Sequence, residues 1–219
     1  LGTLNGMEAK IYVDEKASPR YLKARSVPYA LKKGVENELE RLEKEGIISP
    51  VDFSEWAAPI VPVVKTNGTV RICGDYKCTV NQVSKLDNYP IPKTEDLLAG
   101  LSGGEKFTKL DMSQAYQQLK LDEDSKKFTT INTHKGLFQY NRLPFGVSSS
   151  PGIFQRAIEN LLQGIPYVIV RMDDILVSGE DDVKHLENLK NVLTRLSQAG
   201  LRLRKEKCCF MQPEVTYCG

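Results

Sequence analysis

Leu31, Val35, Leu39 and Leu42 recur three or four residues apart among charged positions, which predicts an amphipathic helix beginning near Ala30 and stopping at Gly46. Pro50, Pro59 and Pro62 then interrupt a β-prone stretch. Two β-type runs follow, Val63-Val64-Lys65 and Val70-Arg71-Ile72-Cys73, with Asn67-Gly68 between them. Both turn residues tolerate positive φ, so the segment predicts a β-hairpin. After a Gly-rich loop at 100–104, Phe107, Lys109 and Asp111 alternate with Thr108 and Leu110, as in a strand that ends at Asp111. Ser150 and Pro151 suit the cap and first position of a helix that closes near Gly164 and Pro166. Tyr167-Val168-Ile169-Val170 and Ile175-Leu176-Val177 predict a second hairpin around Arg171-Met172-Asp173-Asp174. Val183, Leu186, Leu189, Leu193 and Leu196 trace one face of a last helix, ending at Gly200. Without repeats, this is an α+β pattern and not a doubly wound sheet.

The 219 residues, 41% hydrophobic and 26% charged, suffice for one large or two small domains with a real core. Lys and Arg total 30 against 28 Asp and Glu, so a formal charge of +2 gives no argument for a nucleic-acid partner by itself. Local charge is more suggestive. Lys10, Lys16, Arg20, Lys23, Arg25, Lys32 and Lys33, with Pro19 and Pro28 among them, read as an extended basic arm or a solvated linker. No apolar run approaches the ~20 residues of a membrane span, and the first thirty residues lack the pattern of a secretory signal. Leu1 gives the start the look of a cut edge. Five cysteines with no C-x-x-C pair argue against a disulfide framework or zinc site and make a reducing intracellular compartment the expectation. Two histidines leave little for a histidine-based site, so carboxylates must carry any catalysis.

Asp173 and Asp174 stand together between strongly apolar strands, where like charges repel and raise each other's pKa. If the strand ending at Asp111 lies beside that hairpin, three carboxylates meet at one sheet edge. Oxygen ligands of this kind suit Mg²⁺, and such an edge suits two ions about 3.5–4 Å apart that activate a hydroxyl and stabilise a leaving pyrophosphate. From the residues alone an ordinary polar turn at Asp173-Asp174 and an unrelated helix cap at Asp111 are the commoner reading.

The succession of motifs resembles a known family. Val70-Arg71-Ile72-Cys73-Gly74-Asp75-Tyr76-Lys77, Lys109-Leu110-Asp111-Met112-Ser113-Gln114-Ala115-Tyr116-Gln117-Gln118, Arg142-Leu143-Pro144-Phe145-Gly146-Val147, residues 151–155 and Met172-Asp173-Asp174-Ile175-Leu176-Val177 fall in order. Together they resemble the reverse transcriptase of Ty3/gypsy-type long-terminal-repeat retrotransposons. The resemblance implies a right-hand polymerase fold of fingers and palm with the thumb absent. It implies a basic arm over 1–27, fingers over 28–92 and 120–150, and palm over 93–119 and 151–219.

The resemblance makes Asp111, Asp173 and Asp174 the catalytic metal-site carboxylates, with the backbone of Met112 beside them, for two Mg²⁺ ions or Mn²⁺ in substitution. It implies dNTP contacts from Lys65, Arg71, Tyr116, Phe145 and Gly146, with Arg71 favoured over Lys65 and Tyr116 as a gate against the 2′-hydroxyl. Template and primer contacts are implied for Gln155, Arg171, Met172, Tyr217 and Gly219, the last two at the start of a primer-grip hairpin. Partners would be an RNA or DNA template with primer and dNTPs, with RNase H and integrase regions in a parent polyprotein. Cytoplasmic particles are the expected location, and no membrane is expected. The basic stretch Arg202-Leu203-Arg204-Lys205-Glu206-Lys207 has two open readings, a phosphate neighbour or a solvated strand edge.

One position departs from the family. Arg171 stands two residues before Asp173, where the family usually has Tyr. Two rival functions follow: a catalytically silent domesticated relic that binds RNA or a protein partner, and a palm-type nucleotide cyclase.

Overall fold

The computed structural model describes residues 1–85, 89 and 99–216. In chain order the elements are β1 (Glu8–Ala9), α1 (Tyr29–Lys44), β2 (Ile48–Val51), β3 (Ala58–Val64) and β4 (Val70–Gly74). Then come β5 (Phe107–Asp111), β6 (Lys120–Leu121), β7 (Ile131–Thr133), β8 (Gly136–Tyr140) and α2 (Ser150–Leu162). The chain continues through β9 (Val168–Arg171), β10 (Asp174–Val177), α3 (Asp182–Gln198) and β11 (Cys209–Gln212). Two compact units result, one drawn from Glu8–Asp87 and Leu119–Ser150, the other from Leu1–Met7, Asn88–Gln118 and Pro151–Gly219. Among the described residues no helix is long and apolar enough to cross a membrane.

The first of these units is built on a five-stranded sheet of order β2-β8-β7-β3-β4. Its β3–β4 pair forms the hairpin at Asn67-Gly68, in register from Ile60 opposite Gly74 to Val64 opposite Val70. Gly68 takes φ +79°, and Asn67 accepts from the Thr69 amide and hydroxyl. α1 buries Val35, Leu39 and Leu42, as its spacing requires. Gly46 ends it at φ +68°, letting the Ile47 amide reach back to the Leu42 carbonyl.

Residues 8–27 are extended but not a solvated arm. Ala9, Ile11 and Val27 are buried, β1 pairs with β6, and the Leu22 amide donates to the Ala57 carbonyl. Alternate apolar residues and the backbone's need for partners hold the segment down, while its lysines and arginines point outward.

The other unit is a four-stranded antiparallel sheet of order β11-β5-β10-β9. α2 contributes the buried Ile153, Phe154, Ala157, Ile158 and Leu162. Leu101, Ile169 and Leu176 form a small cluster with Phe107 and Tyr167 against it. The hairpin turn is tighter than the sequence suggested: Arg171 belongs to β9 and Asp174 to β10, so only Met172 and Asp173 turn the chain.

The buried face of α3 also differs from expectation. Val183 is 73% exposed, and Leu186 and Leu193 also face solvent, whereas His185, Asn188, Leu189, Val192 and Leu196 are buried. Polar pairing rotates the helix. His185 Nε2 meets Thr108 Oγ1 at 2.8 Å, and Asn188 Nδ2 donates to the Ser178 carbonyl at 2.9 Å. Gly179 allows the approach of the helix, because a Cβ there would fall 2.3 Å from the His185 backbone nitrogen.

Candidate functional site

The alternation of β5 buries Thr108 and Leu110 and leaves Lys109 and Asp111 on the other face. The β5–β10 register sets Asp111 directly opposite Asp174. Directly opposed residues of antiparallel strands project from the same side, so these two carboxylates share a face. Arg171 is opposite Asp174 across the next ladder and shares that face too. Asp173, on the turn, is exposed, and its carbonyl accepts from the Met112 amide at 2.9 Å. Asp111 is thereby brought to the same end of the sheet as the adjacent pair Asp173 and Asp174.

Cations answer this charge. Lys109 Nζ lies 3.0 Å from Asp174 Oδ2, and Lys207 Nζ lies 3.7 Å from Asp111 Oδ2. Lys109 shares the strand face with Asp111 by the period of two, but that alternation does not by itself mark it as a partner of Asp174. Of the basic stretch, Lys207 adopts neither reading in pure form: it is a half-exposed side chain held at a carboxylate. Burial raises the pKa of Asp111; Lys207 opposes this, and the neighbouring Asp173 and Asp174 add to the rise.

These donors fit a hard divalent cation, because all are carboxylate or carbonyl oxygens and two ammonium groups already stand among them. Among the described residues, however, no three His, Cys, Asp or Glu side chains are gathered as a ready-made ligand set. Asp174 is drawn toward Lys109 and Asp111 toward Lys207.

Tyr116 is buried beside this site. Its ring packs on Phe154 at 5.4 Å between centroids, and its phenol is pushed up to about 12 by burial and then by the charge of Asp173. Gln118, wholly buried, donates to the Ser113 and Arg202 carbonyls and accepts from the Arg202 amide. It ties the turn after Asp111 to the strand-like segment whose Arg204 amide donates to the Asp111 carbonyl at 2.8 Å. Nothing in its spacing distinguishes Gln118 from a surface glutamine. Gln155 is 0% exposed, so no template reaches it directly; its amide engages the β9–β10 hairpin instead.

In the unit of the five-stranded sheet, Arg71 lies over the Phe145 ring at 5.3 Å. Gly146 follows at φ +94°, its carbonyl accepting from Asn81 Nδ2 at 2.8 Å. A Cβ at Gly146 would lie 3.0 Å from the Gly74 carbonyl oxygen. Arg71, Phe145 and Gly146 therefore cluster, while Lys65 lies exposed where the hairpin turns, its amide bonded to the Thr69 carbonyl. Tyr217 and Gly219 lie outside the described residues.

An antiparallel sheet that presents acidic residues from a strand end and an adjoining hairpin turn is the arrangement that the resemblance implies for a polymerase palm. A family model described as reverse transcriptase (RNA-dependent DNA polymerase) matches residues 63–219, and the chain belongs to that family. It is 34% identical over 92% of its length to the retrovirus-related Pol polyprotein from transposon opus of Drosophila melanogaster, and 30% identical over 99% to the transposon Tf2-3 polyprotein of Schizosaccharomyces pombe. These relatives are of the Ty3/gypsy type, and the chain spans only 20% and 16% of their respective lengths. Among solved structures, a foamy viral protease-reverse transcriptase in complex with an RNA/DNA hybrid is similar with a TM-score of 0.90 and 26% identity, over 100% of this chain and 29% of that one. The fold is that of reverse transcriptase fingers and palm.

Proposed function

We propose that this chain carries out RNA-directed DNA synthesis, joining a dNTP to a primer 3′-hydroxyl with release of pyrophosphate. The observation that carries the reading is the register of Asp111 with Asp174, closed by the Met112–Asp173 backbone bond. Asp111 and Asp173 would hold Mg²⁺, joined by Asp174 on release from Lys109 and by the Met112 carbonyl. Two such ions, when bound, neutralise charge on the attacking and leaving oxygens.

The remaining work of the chain is positioning, the main protein contribution in phosphoryl transfer. Tyr116 supplies a wall beside the sugar that disfavours a 2′-hydroxyl. Arg71, with its fork of donors, and Lys65, as a point charge, would meet the nucleotide phosphates, with Phe145 and Gly146 lining the base side. Arg171 and Met172 would adjoin the primer end. The partners are an RNA or DNA template with its primer, and in the parent polyprotein the RNase H and integrase regions.

Primer extension on an RNA template with Mg²⁺, using the chain and its Asp173→Asn variant, tests the reading. Incorporation that requires a primer and is lost in Asp173→Asn supports it. Binding of template without incorporation by either protein would identify a silent relic. Nucleotide turnover without a primer would identify a cyclase, a scheme with no place for the family motifs at 70–77 and 143–146.

A further inference from the structure

Among the described residues β9 is the edge strand of its sheet, so the backbone groups on its outer side have no neighbouring strand there to bond. The turn that follows is strained as well. Met172 takes φ +55°, a left-handed conformation in which an unbranched L-residue still meets steric resistance. Both problems meet one side chain. Gln155 of α2, with no solvent exposure, accepts from the Met172 amide at 2.7 Å through Oε1 and donates from Nε2 to the Val170 carbonyl at 2.6 Å. A single carboxamide thus bonds residues i and i+2 of the edge, as a neighbouring strand would.

The orientation of that carboxamide is determined by its surroundings. Nε2 also donates to Glu159 Oε1 at 2.6 Å, and Glu159 is one helical turn along the same face. Two acceptors must face the NH2 group, which leaves the oxygen for the Met172 N–H. Tyr89 in turn donates its hydroxyl to the other carboxylate oxygen of Glu159. The chain of contacts runs Tyr89, Glu159, Gln155, Met172, and the next residue is Asp173.

We propose that Gln155 is a positioning residue for the carboxylate turn: its buried amide, oriented by Glu159, holds Met172 left-handed and so aims Asp173 toward Asp111. This deepens the polymerase reading and rests on it for activity, while the turn geometry can be read without any turnover. Gln155 touches neither nucleotide nor primer in this account. It acts through backbone.

The test compares Gln155→Met, which fills the space without hydrogen bonds, Met172→Gly, and the double variant, each in the whole chain. Three measurements are made: hydrogen exchange at the Met172 amide, affinity for Mn²⁺ alone, and single-nucleotide incorporation resolved into kcat and KM. Gln155→Met is expected to speed exchange at Met172 by about tenfold or more while exchange in the interior of β10 is unchanged. Mn²⁺ binding weakens, and kcat falls about 10- to 100-fold with KM for dNTP within about twofold, as for a reacting group displaced by a fraction of an ångström to 1 Å. Glycine adopts positive φ without steric cost. Adding Met172→Gly to Gln155→Met is therefore expected to recover a substantial part of Mn²⁺ affinity and kcat, although Met172→Gly alone gives no gain.

Unchanged exchange at Met172 in Gln155→Met overturns the proposal whatever the activity. So does faster exchange with unaltered Mn²⁺ affinity, or a double variant no better than Gln155→Met. Global unfolding of Gln155→Met, seen as faster exchange throughout β10, would make Gln155 a packing residue and overturn it as well. If the unaltered chain incorporates no nucleotide, the polymerase reading fails, and exchange and Mn²⁺ affinity still decide the role of Gln155.

Discussion

The Met112 amide donates to the Asp173 carbonyl at 2.9 Å, joining the chain just past β5 to the turn between β9 and β10. Backbone, and not side chains alone, therefore sets the separation of Asp111 and Asp173. For the ligand pair proposed above, a backbone link of this kind fixes the separation of the two Cα positions, which lowers the reorganisation that binding a cation would require.

Asp173→Asn keeps the shape of the turn but replaces a carboxylate oxygen with an amide nitrogen. Incorporation is expected to fall on the order of 10³-fold or more, since metal-assisted charge stabilisation contributes several kcal/mol and each 1.36 kcal/mol is tenfold in rate. Single-turnover primer extension checks this. Residual activity within about tenfold of the unaltered chain would exclude Asp173 as a ligand.

Arg171 shares a sheet face with Asp174 and Asp111. Its guanidinium places a positive charge on this face, whereas the aromatic ring that the family resemblance implies would be apolar there. Arg171→Tyr is expected to raise incorporation by about threefold or more, equivalent to about 0.7 kcal/mol in the barrier. Equal rates in the same primer-extension assay would show that the departure at this position is neutral.

Lys109 occupies Asp174 at 3.0 Å, both side chains being largely buried. Lys109→Met removes a positive charge from the carboxylate face and releases Asp174, so a divalent cation is expected to bind more tightly. The Mn²⁺ affinity measured by calorimetry should rise by about two- to tenfold, corresponding to about 0.4–1.4 kcal/mol. A weaker affinity would show that Lys109 holds Asp174 in a ligating position.

His185 is 1% exposed, its Nδ1 meets no hydrogen-bond partner among the described residues, and burial lowers its pKa. The folded state therefore prefers the neutral ring more strongly than the unfolded state does. The stability this contributes is present above the ordinary histidine value of about 6.5 and is lost as pH falls through it toward the lower folded pKa. His185→Gln, which can keep the bond to Thr108, is expected to flatten the decline in Tm between pH 7 and pH 5. An unchanged slope would assign the acid sensitivity to other groups.

Phe154 is fully buried and supports the Tyr116 ring at 5.4 Å. Phe154→Ala leaves a cavity and is expected to cost about 3–5 kcal/mol of unfolding free energy, read from chemical denaturation. Because Tyr116 loses its backing, discrimination against ribonucleotides should weaken in the same variant at temperatures where it remains folded.

Local periodicity made several elements legible. The spacing of Leu31, Val35, Leu39 and Leu42 with Gly46 beyond it describes α1, and Asn67-Gly68 describes the β3–β4 turn. The alternation through Asp111 describes β5 with the carboxylate at its end. The acidic hairpin was also visible, although its turn proved to be two residues and not four. Motif order further identified the family, since five patterns in sequence constrain one another where a single Asp-Asp pair does not.

What the amino-acid sequence by itself determined, then, was the type and extent of many elements, because helical and strand periods are expressed over a few neighbouring residues. Tertiary structure decided which faces and which distant groups meet. The leucine pattern of α3 gave way to His185 and Asn188, whose hydrogen-bond partners lie on β5 at Thr108 and just past β10 at Ser178. Gln118 and Gln155 look like surface residues until the fold buries them and obliges their amides to satisfy exposed backbone. The cost of an unpaired buried polar group is a property of the surroundings and not of the local period, and it is this cost that orients the site.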